Sequence, residues 1–132
     1  FFLTILMICV FSDVGGYVFG KTFGGKKLTK ISPNKTISGS IGSFILSYIG
    51  FFVIYLYFSD LLFVRLQIEA LAFIPFFISL VCQLGDLFIS YYKRKAKIKN
   101  TGNIIPGHGG LLDRVDGIIF ALPIGFIIIS LL

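Results

Sequence analysis

Charge is what this sequence has least of: only 14% of its 132 residues are charged, and the acids number six. A soluble fold of this size must cover its surface with polar groups, and too few are present to do so. With 56% hydrophobic residues and a mean hydropathy of +0.95, lipid is the expected solvent. Cysteine is almost as scarce. Cys9 and Cys82 each sit inside an apolar run without short metal-type spacing, which argues for two buried free thiols. The single histidine, His108, has no cysteine or second histidine near it, which argues against zinc and for a polar contact to substrate or loop backbone. The N-terminal segment has no basic n-region and no small-residue cleavage site, and it contains Asp13, so it is a poor secretory leader. Repeats, low-complexity tracts and long linkers are also missing, and one membrane-embedded domain over 1–132 is the simplest account. Because the chain opens on Phe1 and not on methionine, we expect it to be the C-terminal part of a longer protein.

What is present is apolar length. Four segments, 1–20, 36–58, 69–92 and 115–132, each run to roughly 18 to 24 residues, enough to span a bilayer core. The net charge of +6 is not spread over a face, as a nucleic-acid binder would need. Instead Lys21, Lys26, Lys27, Lys30 and Lys35 fall in one polar stretch, and Lys93, Arg94, Lys95, Lys97 and Lys99 in another. Two spans separate these stretches, so both lie on one side of the membrane, and basic loops collect on the cytoplasmic side. The loop between them, around 59–68, is nearly neutral, and "SDLLFVRLQIEALAFIP" also has the length of a short interfacial helix. The predicted fold is all-α: a polytopic helical integral membrane protein with about four transmembrane helices and two basic cytoplasmic loops.

Polar residues inside apolar segments are costly and therefore informative. In "FSDVGGYVFGKTFGG", Gly16, Gly20 and Gly24 keep a four-residue spacing that suits close helix contact. Asp13 in the same segment reads equally as a packing hydrogen bond or as a substrate contact. In "KKLTKISPNKTISGSIGS", Pro33 stops any helix running through the loop, and the hydroxyls of Ser32, Thr36 and Ser38 suit caps. A helix start beside Lys35 favours a phosphate, although capping and a positive-inside anchor would explain it too. In "CQLGDLFISYYKRK", Asp86 and Ser90 share a helical face that leads to Lys93 and Arg94; the alternative is that the two cations only anchor the helix end.

In "NIIPGHGGLLDRVDG", Asp113 and Asp116 stand three apart, on one face of a helix. Two adjacent acids repel unless a cation lies between them, and oxygen-only ligands favour magnesium, with Asp86 supplying a third carboxylate from the neighbouring span. Gly107, Gly109 and Gly110 allow close backbone approach, so the stretch reads as a cradle for phosphate and metal.

These residues resemble a known family. Ser90, Lys93, Arg94, Lys99, Gly102, Ile105, Pro106, His108, Gly109, Gly110, Leu111, Asp113, Arg114 and Asp116 stand in the order and spacing of the phosphatidate cytidylyltransferase signature. "QLGD" at 83–86, "ISPNKT" at 31–36 and "SDVGGYVFG" at 12–20 resemble its further motifs. The chain is similar to the C-terminal catalytic half of that family. It departs from the pattern at Lys99-Asn100, where the signature has Lys-Asp, at Tyr92, where an aliphatic residue stands, and at Ser38, where a glutamate follows "KTI".

The resemblance implies an enzyme in which phosphatidate attacks the α-phosphorus of CTP, giving CDP-diacylglycerol and pyrophosphate. It implies Mg2+ on Asp86, Asp113 and Asp116, with a second cation left open. It also implies a catalytic set of Lys93, Arg94, Lys99, His108, Asp113 and Asp116, and phosphates of CTP or phosphatidate held by Ser32, Lys35, Thr36, Ser90, Gly109 and Gly110. The expected location is the bacterial inner (cytoplasmic) membrane with the site facing the cytoplasm. The expected partners are the two substrates and the bilayer; no nucleic acid is expected, and a homodimer is left open. Two alternatives were weighed. "DRVDG" also opens the Asp-x-x-Asp-Gly motif of CDP-alcohol phosphatidyltransferases, but that motif continues with further aspartates and no acid follows Gly117 here. The other alternative is a non-catalytic membrane remnant or subunit.

Overall fold

A computed structural model describes residues 2–30, 32–62, 68–98 and 112–131, without the side chains of 59–62, 68 and 112–114. The described residues form four helices in chain order: α1 (Phe2–Phe23), α2 (Ile37–Leu62), α3 (Ile68–Lys95) and α4 (Leu112–Leu131). In hydrocarbon every backbone N–H and C=O must find a partner within the protein, and long apolar runs meet that demand by coiling into helices. By length and composition α1, α2 over Ile37–Phe58 and α3 over Glu69–Lys95 can each cross a membrane. Among the described residues the apolar part of α4 is Val115–Leu131. Large apolar side chains such as Leu56, Tyr57 and Phe126 stand exposed on the outside of the bundle, as the surface of a membrane-spanning bundle requires. This is the architecture of a polytopic integral membrane protein. Within the span of the conjectured interfacial helix, 59–62 belong to the end of α2 and 68–74 to the start of α3; residues 63–67 lie outside the described residues.

Cross-helix contacts set the topology. Phe11 meets Gly50, and Gly20 meets Thr36, so α1 and α2 run antiparallel. Phe44 stacks on Phe76 while Ser40 reaches Gln83, so α2 and α3 do the same. Gly117 touches Cys82 and Lys93 pairs with Asp116, which sets α4 antiparallel to α3. The centre is a small apolar cluster of Ile5, Ile8, Cys9, Ile74, Ile78, Cys82 and Ala121, in which both cysteines are free. Buried hydroxyls tie the helices together: Ser12 of α1 and Ser79 of α3, both fully buried, share a hydrogen bond of 2.9 Å. Pro75 inside α3 removes one backbone donor, and in that region Tyr48 Oη donates to the Ala72 carbonyl at 2.6 Å.

The first basic stretch is more ordered than a plain connector. α1 ends where Gly24 takes a φ of 57°, its N–H bonded to the Gly20 carbonyl at 3.1 Å. Gly24 therefore closes the helix and does not extend the packing stripe of Gly16 and Gly20. The chain then folds back: Leu28 N–H reaches the Lys35 carbonyl, Ile37 N–H reaches that of Lys26, and a turn at Pro33 is closed by Lys35 N–H on the Ser32 carbonyl. Of the three hydroxyls expected to cap α2, Thr36 is the cap, accepting from Gly39 N–H at 3.1 Å. Ser38 instead donates to the Gly24 carbonyl and bonds the Thr36 hydroxyl, because the fold-back brings the end of α1 within its reach. Ser32 contributes its carbonyl to the turn. Thr36→Ala removes the cap and is expected to lower stability by about 1 kcal/mol, read as a fall in Tm of the detergent-solubilised protein.

Candidate functional site

The close contact of α1 with α2 leaves a cleft of about 300 Å3 between α1, α2 and α3, lined by polar side chains. Asp13, Gly16 and Tyr17 of α1 form one wall, and Gly39, Ser40 and Ser43 of α2 another. Gln83 and Asp86 enter from α3, Asp116 enters from α4, and the fold-back contributes Leu28, Asn34, Lys35 and Thr36 at the mouth.

Two lysine–aspartate pairs organise the charge. Lys35, just ahead of the α2 cap, pairs with Asp86. Lys93, near the C-terminal end of α3, lies 3.4 Å from Asp116, whose other carboxylate oxygen accepts from Gly117 N–H at 2.9 Å. Asp116 is 6% exposed, so its charge is held in the protein and not by bulk water. Asp86 lies within electrostatic range of both Asp13 and Asp116. Three acids and Lys35 thus line one cleft at the basic ends of the helices, with Lys93 held beside it by Asp116.

The structure distributes the expected residues unevenly. Lys35, Thr36, Asp86 and Asp116 line the cleft, and Lys93 reaches it through Asp116. Asp86 was expected to work with Ser90, Lys93 and Arg94. Its partner is Lys35 from the fold-back ahead of α2, since Lys93 lies two turns further along α3 and meets α4 instead. Ser90 is half-buried and Arg94 exposed, and neither lines the cleft; Ser32 sits in the turn behind it. Lys99, His108, Gly109 and Gly110 lie outside the described residues, and the backbone of Asp113 is placed in α4 but its side chain is not described. Gln83, Asn34, Ser40 and Ser43, present only within the quoted motifs, also line the cleft. Gln83 was detectable, standing three residues before Asp86 on the same helical face. The α2 serines have the same composition as ordinary small packing residues and gave no such signal.

Among the described residues no three of His, Cys, Asp and Glu come together to hold a metal by themselves. The donors present still fit magnesium. That ion takes only oxygen, keeps several waters, and binds through one or two carboxylates together with substrate phosphates, which is what Asp86 and Asp116 offer.

Fold and cleft together define a helical integral membrane protein with a charged cleft at the basic ends of its helices. The Cytidylyltransferase family model matches residues 1–132, and the chain belongs to that family. Among similar curated proteins, the phosphatidate cytidylyltransferase of Rickettsia bellii (strain RML369-C) is 44% identical over 138 residues, covering 96% of this chain and 57% of the relative. That of Staphylococcus haemolyticus (strain JCSC1435) is 42% identical over 125 residues, covering 94% and 46%. That of Helicobacter pylori (strain ATCC 700392 / 26695) is 44% identical over 117 residues, covering 88% and 42%. The chain spans about half the length of the curated relatives it matches.

Proposed function

We propose that this chain is the membrane-embedded catalytic part of a phosphatidate cytidylyltransferase, transferring the cytidylyl group of CTP to phosphatidate. The observation that carries the reading is that two carboxylates from neighbouring helices line one cleft, each paired with a lysine, Lys35–Asp86 and Lys93–Asp116. A phosphate oxygen of phosphatidate attacks the α-phosphorus of CTP, the bond from that phosphorus to the bridging oxygen of the β-phosphate breaks, and pyrophosphate leaves. Both reactants are anions, so the protein must neutralise charge and align them; a covalent nucleophile is not required. Lys35 receives one phosphate group, and Lys93 steadies the other. On this reading Lys99, His108, Gly109 and Gly110, which lie outside the described residues, are further candidate phosphate contacts, while Ser32, Ser90 and Arg94 stand outside the cleft.

Asp86 and Asp116, with Asp113, would hold magnesium, which when bound neutralises the nucleotide phosphates and polarises the α-phosphorus. Gathering of the basic stretches at the cleft end supports a cytoplasm-facing site in a bacterial inner membrane. With the full-length protein in proteoliposomes containing phosphatidate and magnesium, pyrophosphate release is expected to require both CTP and phosphatidate. Release of CMP from CDP-diacylglycerol with an alcohol acceptor, without any CTP-dependent turnover, would replace this reading by the phosphatidyltransferase one.

A further inference from the structure

Below the charged mouth, the cleft has a neutral polar floor that the reaction as described does not use. Gln83 lies one helical turn inward from Asp86, about 4.5 Å along α3 by the helical rise, and it faces the same cleft. Its amide is tied at both atoms. The Ser40 hydroxyl donates to Oε1 at 2.5 Å, and Nε2 donates to the Ser79 hydroxyl at 3.3 Å. The shorter contact suits O–H···O and the longer N–H···O, in keeping with this orientation of the amide. Ser79 is itself held by the fully buried Ser12 at 2.9 Å. The relay Ser12–Ser79–Gln83–Ser40 thus crosses α1, α3 and α2, and holds the amide in one orientation.

A primary amide carries two N–H donors and an oxygen with two lone pairs, and the relay uses one of each. One N–H and one lone pair of Gln83 have no protein partner among the described residues. They stand beside a cleft, where a ligand can meet them.

We infer that Gln83 is a specificity-determining residue whose remaining N–H donates to a carbonyl oxygen of a substrate, the relay serving to aim it. The inference rests on the function proposed above. Two substrate groups share this chemistry: an ester carbonyl of the glycerolipid, one short step below its phosphate, and the ring carbonyl of the pyrimidine. In either case Gln83 reads a neutral group adjoining a phosphate held at the Lys35–Asp86 level.

Gln83→Met keeps the length of the side chain and removes both polar atoms. The full-length variant is expected to show a roughly tenfold higher KM for the substrate that carries the carbonyl, with the other KM and kcat little changed. A rise confined to phosphatidate, together with loss of the wild-type preference for ester-linked over ether-linked phosphatidate, assigns the lipid carbonyl. A rise confined to CTP assigns the base. If Tm falls while both KM values stay unchanged, the amide is a structural tie only and the inference is overturned. Native mass spectrometry separates this result from failure of the functional reading. Even without turnover, the wild type should retain dihexanoyl phosphatidate over its diether analogue, or CTP over ATP, and Gln83→Met should lose that discrimination. Equal retention by the two proteins overturns the inference.

Discussion

Asp116→Asn is expected to abolish CTP-dependent pyrophosphate release, by roughly 10^3-fold or more, while the protein stays in the membrane. Asparagine keeps the shape of aspartate and can still accept from the Gly117 N–H that now bonds Asp116 Oδ1 at 2.9 Å. What it loses is the charge. Lys93, 3.4 Å away, then loses this ion pair, and a magnesium ion held together with Asp86 would lose one of its carboxylates. The helices themselves depend on apolar length, which one amide leaves intact, so carbonate extraction should still find the variant in the membrane fraction. Titrating magnesium adds a second reading: a variant that recovers at high magnesium has lost affinity for the ion, and one that does not has lost alignment. Retained activity at ordinary magnesium would remove Asp116 from the site.

Gly15→Leu should act with comparable severity through a different cause. A Cβ placed on Gly15 would lie 2.3 Å from the carbonyl oxygen of Gly42, which is backbone and cannot turn aside. The helices must separate, and the same pair of helices carries the Gly16–Tyr17 and Gly39–Ser40–Ser43 walls of the cleft. Overpacking of this kind costs about 1–3 kcal/mol even when a core can adjust, and a leucine here adds three more carbons to accommodate. Displacement of the walls by about 1 Å lowers turnover by roughly 10^2-fold. The measurements are Tm in detergent and kcat/KM in proteoliposomes. A Gly15→Leu protein with wild-type values for both would show that α1 and α2 do not need this contact. Gly20→Ala is the milder comparison, since its Cβ would meet the Thr36 hydroxyl at 3.1 Å, a side chain with some room to move.

These two sites differ in how far they could be read beforehand. Asp116 was legible because an acid near the start of an apolar span is expensive, and because Asp113 stands one turn before it. The Gly16–Gly20 stripe was legible from its spacing, yet among the α1 glycines the tightest approach falls at Gly15, one position off the stripe. Spacing identifies a face of a helix only to within the angle between neighbouring residues, and the crossing of α1 over α2 decides which glycine lies at the closest point. Lys35 was legible as a phosphate ligand by its place before a helix start, but its pairing with Asp86, some fifty positions along the chain, was not.

The sequence by itself determined the solvent, the number and order of the helices, the end of the bundle at which charge collects, and the family signature. All of these follow from composition and from periodicity along the chain, which need no knowledge of what lies across a helix interface. Only the tertiary structure decided which lysine meets which acid, that Lys93 reaches Asp116 and leaves Asp86 to Lys35, and that Ser12, Ser79, Gln83 and Ser40 join into one relay. Such pairings depend on the rotation and register of each helix against its neighbours. In a bundle surrounded by lipid, these are set by close packing at small residues and by buried hydroxyls, because hydrophobicity does not distinguish one apolar face from another.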